Sequence, residues 1–202
     1  MTTLALTAAV TAALVAVAAA RMSAGVRHTA PIAYVAGSIP AAATVTALVC
    51  GTLGETAAIG CVAACICAVT DLATGLIFDE VVALGLIACL YASAGSGTQA
   101  LGGCVAGATC GFALLALVRV ATRRGLGWGD VKLGAVVGAA LGVRLVAHAI
   151  GLAFVIGALS VLPGLLRGRR HFGDRIAFAP YLAIATAFAA VVLSRVDWRA
   201  TA

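Results

Sequence analysis

Few side chains in this sequence can do chemistry. The acidic residues are Glu55, Asp71, Asp79, Glu80, Asp130, Asp174 and Asp197. Glu55, Asp79 and Glu80 flank apolar runs, where an acid can rest at a membrane interface. Asp174 lies among arginines and reads as a solvated ion pair. Asp197 sits beside Trp198, a residue type favoured at interfaces. Asp71 and Asp130 stand apart: Asp71 closes the run Cys61 to Thr70, and Asp130 opens another directly after Gly125-Leu-Gly-Trp-Gly129. An ionisable group at such a position is costly and calls for a reason. Two carboxylates at one depth of a helix bundle can meet, and at close range they share a proton rather than both ionising. One can then take a proton from water while the other donates to a carbonyl oxygen. That is sufficient for peptide hydrolysis without a metal or a nucleophilic side chain. The same pair could carry protons or cations in a transporter, and two unrelated interfacial acids would show the same spacing.

The neighbouring glycines narrow the choice. Gly127 and Gly129 allow positive φ and close backbone approach, so an extended peptide could lie beside Asp130. A glycine-rich turn before a helix also serves phosphate binding. Here no Gly-Lys-Ser/Thr follows, no strand precedes, and the aspartate would repel a phosphate. The cysteines Cys50, Cys61, Cys65, Cys67, Cys89, Cys104 and Cys110 fall in or beside apolar runs, with no Cys-x-x-Cys among them. They read as buried small hydrophobes rather than a zinc set, so no metal and no cofactor is expected.

Elements that could hold these acids follow from the composition. Of 202 residues, 63% are hydrophobic and 10% charged, whereas a soluble domain is nearer half apolar and a quarter charged. A soluble enzyme, a disordered tail and a secreted disulfide scaffold are excluded. The net charge of +6 comes from cations clustered between apolar runs, which fits membrane topology better than nucleic-acid binding. The apolar segments are Leu4–Ala20, Pro31–Cys50, Thr56–Thr70, Val81–Ala94, Gln99–Val118, Val131–Val143, Leu145–Pro163 and Ile176–Ser194. The expected fold is therefore an all-α, polytopic integral membrane protein with about eight transmembrane helices. Residues 1–20 carry no charged side chain ahead of Arg21, which suits a retained helix with its N-terminus outside rather than a signal peptide. With that start, the positive-inside rule gathers Arg119 to Lys132 and Arg167 to Arg175 in the cytoplasm and leaves Arg144, Arg195 and Arg199 outside. The charge rule then favours two short helices for Val131–Pro163, turning near Gly142 and Arg144. Asp71 and Asp130 both fall at cytoplasmic ends of spans.

At these residues the chain resembles the prepilin peptidases, the type IV leader peptidases of the Gly-x-Gly-Asp aspartic protease class. Gly127-Trp-Gly-Asp-Val-Lys-Leu133 is similar to the family's G-x-G-D-V-K-L signature. Asp71-Leu-Ala-Thr-Gly-Leu-Ile77 is similar to its first-aspartate motif, and Ile176-Ala-Phe-Ala-Pro-Tyr-Leu182 to its I-P-F-G-P-F-L segment. The three motifs occur in order, and the resemblance covers about residues 55–202. It implies that Asp71 and Asp130 are the catalytic pair and that Gly127 and Gly129 shape the active-site loop. Lys132 lies in the same loop motif, where it could orient substrate, tune Asp130, or simply extend to the interface as a cation. Pro180 matches the third motif and is expected to kink a helix. Phe78 stands where the family usually has Pro, and Ala177 and Ala179 replace its usual Pro and Gly.

The resemblance implies an embedded endopeptidase of the bacterial cytoplasmic membrane, with its active site on the cytoplasmic side. Residues 1–54 would form two plain spans and residues 55–202 a six-span peptidase core. Its partners would be prepilin or pseudopilin substrates, each with a basic leader, a Gly before the cut and an apolar helix after it, within the lipid bilayer. Larger members carry paired Cys-x-x-Cys motifs linked to N-methylation; without them this chain is expected to cleave but not methylate. The rival readings are a small transporter or pilus-assembly subunit using the aspartates for protons or cations, and an inactive scaffold.

Overall fold

The computed structural model describes residues 54–123, 125–167 and 177–192, which form helices and turns with no strand among the described residues. The apolar stretches Leu4–Ala20 and Pro31–Cys50, Cys50 itself, and the cations of residues 168–176 lie outside them. The described helices are α1 (Glu55–Thr74), α2 (Asp79–Gly95), α3 (Thr98–Ala121), α4 (Trp128–Leu166) and α5 (Ala179–Val191). Three stretches, Glu55–Thr74, Thr98–Ala121 and Trp128–Pro163, are long and apolar enough to cross a membrane.

The helix α4 is broken inside. Gly142 has φ 73 and ψ 173, a conformation outside any helix and open mainly to glycine. A side-chain carbon on Gly107 of α3 would meet both Gly138 and Gly142, and one on Gly111 would meet both Gly134 and Val146. In a straight helix Gly134 and Val146 would stand about 18 Å apart. Both touch Gly111, so the chain reverses direction at Gly142, and arms 128–141 and 143–166 run side by side against α3. The break falls where the sequence analysis expects a turn.

Small residues set the packing distance. Gly107 and Gly111 face Gly138 and Gly134 so closely that any side chain on these positions would strike the opposite main chain. This small-x-x-x-small spacing lets helix backbones touch without a large hydrophobic driving force between them. Gly60 abuts Ala140 in the same way, and Gly85 abuts Ala63. The buried core continues through Ala63, Ala64, Cys65, Cys67 and Ala68 of α1 to Val136 and Val137 of α4 and Leu182 and Ala183 of α5. Cys61, Cys65, Cys67, Cys89 and Cys104 are all buried, in the role of small hydrophobes.

One expectation is corrected here. Pro180 does not kink a helix: α5 begins at Ala179, so Pro180 occupies its first turn. There the missing N–H costs no intrahelical hydrogen bond and the fixed φ favours a helix start. Of the run expected from Ile176, the described helix covers Ala179–Val191.

Candidate active site

Asp71 lies in the last turn of α1. The helix ends one turn later because Gly75 takes a left-handed conformation (φ 69, ψ 17) and returns its N–H to the Asp71 carbonyl at 2.8 Å. The Asp71 carboxylate meets the start of another helix: the Ala179 N–H donates to Asp71 Oδ2 at 3.3 Å. First-turn N–H groups have no partner within their own helix and form its positive end. In α5, Pro180 has no N–H, while Tyr181 and Leu182 donate to the Phe178 carbonyl at 3.1 and 3.2 Å. The Ala179 N–H is therefore the first-turn donor left for a carboxylate.

Asp130 is the third residue of α4, and Gly127 caps that helix. The Gly127 N–H donates to the Asp130 carboxylate, the reach-back half of a capping box. Gly127 has φ −68 and ψ 152, values open to any residue, so positive φ is not the reason for glycine. The reason is close approach: a side-chain carbon there would stand 3.0 Å from Asp130 Oδ2. Asp130 is only 9% exposed, and its Oδ1 is buried with no hydrogen-bond partner among the described residues.

The first and second motifs touch. Ile77 packs on Gly129, where an added side-chain carbon would come within 2.8 Å of the Ile77 Cβ. Gly129 is helical, and Ile77 lies against it. The charge of Asp71 acts on Asp130, and both act on the Cys67 thiol one turn before Asp71. The structure thus brings Asp71, Asp130, Gly127 and Gly129 to one place. Donors, a buried acceptor and two neighbouring carboxylates are the parts needed to hold and activate a water molecule.

Lys132 engages a different acid. Its Nζ lies 2.7 Å from Asp79 Oδ2, with side-chain exposures of 43% and 66%. The ion pair ties the first turn of α2 to the second turn of α4. At such exposure it contributes about 0–1 kcal/mol. Sequence reasoning gave Asp79 no partner, and a separation of 53 residues carries no local signal for one. Phe78 precedes α2 with φ −77 and ψ 125, within the range a proline would impose. A proline would fit at this position without moving the backbone. The Ala179 contact to Asp71 was also missed, although Pro180 marks a helix start and a helix start supplies free N–H donors.

A family model described as the type IV leader peptidase family matches residues 58–162. The chain is also similar to a prepilin leader peptidase/N-methyltransferase of Bacillus subtilis (strain 168), at 42% identity over 77 residues. That alignment covers 38% of this chain and 31% of the relative's length. No solved structure matches.

Proposed function

We propose a function from the premise that this chain belongs to the type IV leader peptidase family. It is a membrane-embedded aspartic endopeptidase that removes the leader from prepilin-like proteins, with Asp71 and Asp130 activating the attacking water. The observation carrying this reading is the meeting of two carboxylates from separate motifs, one with a buried oxygen lacking any partner among the described residues.

The environments of the two acids divide the work. A buried, charged oxygen without a donor is costly, and a proton on Asp130 Oδ1 removes that charge. Asp130 then holds the shared proton and presents it to the oxygen of the scissile carbonyl. Asp71 is less buried and takes a proton from water as the water oxygen bonds to the carbonyl carbon. Asp71 returns a proton to the leaving nitrogen as the C–N bond breaks, one hydroxyl of the tetrahedral intermediate gives its proton back to Asp130 as the C=O bond re-forms, and the new carboxyl group stays on the leader. The Gly127 and Ala179 N–H groups hold each carboxylate in place through these transfers.

The two arms of α4 support counting it as two crossings, which makes six within residues 55–202; the sequence pattern predicts two more in residues 4–50. Between Asp71 and Asp130 the chain crosses twice in this reading, by α2 and α3, which keeps both acids on one face, the cytoplasmic face in the charge-derived orientation. The absence of Cys-x-x-Cys from these 202 residues supports cleavage without methylation. Co-expression with candidate prepilins, followed by mass spectrometry of their N-termini, tests the reading. Mature substrate cut after the leader's final Gly, with a free N-terminus, is the expected product. Intact precursor, with proton or cation flux instead, would turn the assignment towards a transporter.

A further inference from the structure

The loop carrying Gly127 is gripped from outside by a residue that none of the motifs contains. Arg119 lies in the last turn of α3. Its Nη1 donates to the Leu126 carbonyl, and its guanidinium carbon sits 4.7 Å from the centroid of the Trp128 ring. A charge-assisted hydrogen bond is stronger than a neutral one, and a guanidinium over an indole face adds a cation–π attraction. Arg119 therefore spans the turn between α3 and α4 and holds it at both ends of Gly127. The turn has a further bond of its own, from the Gly125 N–H to the Thr122 carbonyl at 3.1 Å. That bond lies before Leu126 and does not orient the peptide that follows it.

The Leu126 carbonyl and the Gly127 N–H are two ends of one planar peptide unit. In a trans peptide they point in opposite directions. Arg119 takes the carbonyl end, and Asp130 takes the N–H end. Whatever fixes the carbonyl also aims the N–H, and hydrogen bonding to the carbonyl polarises the N–H toward its own acceptor. The buried Leu126 side chain, 8% exposed, anchors the same unit in the core.

We propose that Arg119 is a positioning residue for Asp130, acting through the Leu126–Gly127 peptide to hold the carboxylate in its working orientation. Arg119 engages the Leu126 carbonyl and the Trp128 ring rather than either carboxylate, so its removal should act on the chemical step rather than on substrate binding. This inference rests on the peptidase reading above.

The test compares wild type, Arg119→Gln and Arg119→Lys in a cleavage assay on a purified prepilin substrate, with thermal unfolding of each protein measured in parallel. Arg119→Gln should lose roughly 10- to 100-fold in kcat at nearly unchanged KM. Arg119→Lys, which keeps the charge and a donor, should recover most of that loss. Millimolar guanidinium should partly restore Arg119→Gln, and an equal concentration of sodium chloride should not. If Arg119→Gln fails to fold, Arg119→Lys decides alone: a folded lysine variant within a few-fold of wild type supports the proposal, and an inactive one overturns it. Wild-type kcat in Arg119→Gln, a loss confined to KM, or equal impairment of both variants with no guanidinium effect would also overturn it. A wild-type enzyme that leaves the substrate uncut would instead count against the peptidase reading, separately from the role of Arg119.

Discussion

Asp71 and Asp130 are each held by a backbone N–H at the start of a helix, but the two helices stand in different relations to their acids. Asp130 is held by Gly127, three residues earlier, at the start of its own helix α4. Asp71 is held by Ala179, 108 residues later, at the start of α5. The first arrangement is set by nearby chain, from Arg119 to Asp130, and exists once the start of α4 has packed against the end of α3. The second exists only when α5 has docked against α1. One half of the site is thus built by a short motif and the other by the whole bundle, so the two should fail in different ways.

The largest effects should come from the carboxylates themselves. Asp71→Asn and Asp130→Asn should each lower leader cleavage on the order of 10²- to 10⁴-fold, the usual worth of a positioned acid or base. Membrane insertion and expression should stay near wild type, as Western blotting of membrane fractions would show.

The next change breaks the local half alone. Gly127→Ala fits the backbone but places a carbon 3.0 Å from Asp130 Oδ2. The carboxylate must shift, and a misplacement near 1 Å can cost about 100-fold. Expected is a fall in kcat of roughly 10- to 100-fold with little change in thermal unfolding. Leu182→Ala breaks the long-range half instead. Leu182 is fully buried in α5, and such a truncation destabilises by about 2–5 kcal/mol. Here the unfolding midpoint should drop, and activity should fall with temperature along with the fold. A pure kcat effect from Leu182→Ala would show that α5 docking does not hold Asp71.

How much of this was legible in the sequence follows the same division. Gly127, Gly129 and Asp130 form one motif, so their association could be read directly. Of the two reasons for glycine there, the backbone needs no positive φ at Gly127, whereas close approach, by Asp130 at Gly127 and Ile77 at Gly129, leaves no room for a side chain. The turn at Gly142 could be read from length and charge, because one long span would have sent a cationic cluster outside. The Gly107–Gly138 and Gly111–Gly134 contacts show in the sequence only as spacing among many glycines. The Ala179–Asp71 bond and the Lys132–Asp79 pair join residues distant in sequence, and no local pattern encodes them.

The smallest effect is expected at that ion pair. Lys132→Met and Asp79→Asn should each change kcat by less than about fivefold, because an exposed pair is worth at most about 1 kcal/mol. A steady-state assay in which Lys132→Met matched Asp130→Asn would place Lys132 in the chemistry rather than at the rim.

The central claim is that Asp71 and Asp130 act as one unit, despite being held in different ways. The most direct measurement compares kcat for Asp71→Asn, Asp130→Asn and the double variant on one prepilin substrate, with product N-termini read by mass spectrometry. Residues acting as a unit give strongly non-additive losses. The account predicts that the double variant is no slower than the slower single variant. Losses that multiply, or a single variant cleaving at near wild-type rate, would contradict it.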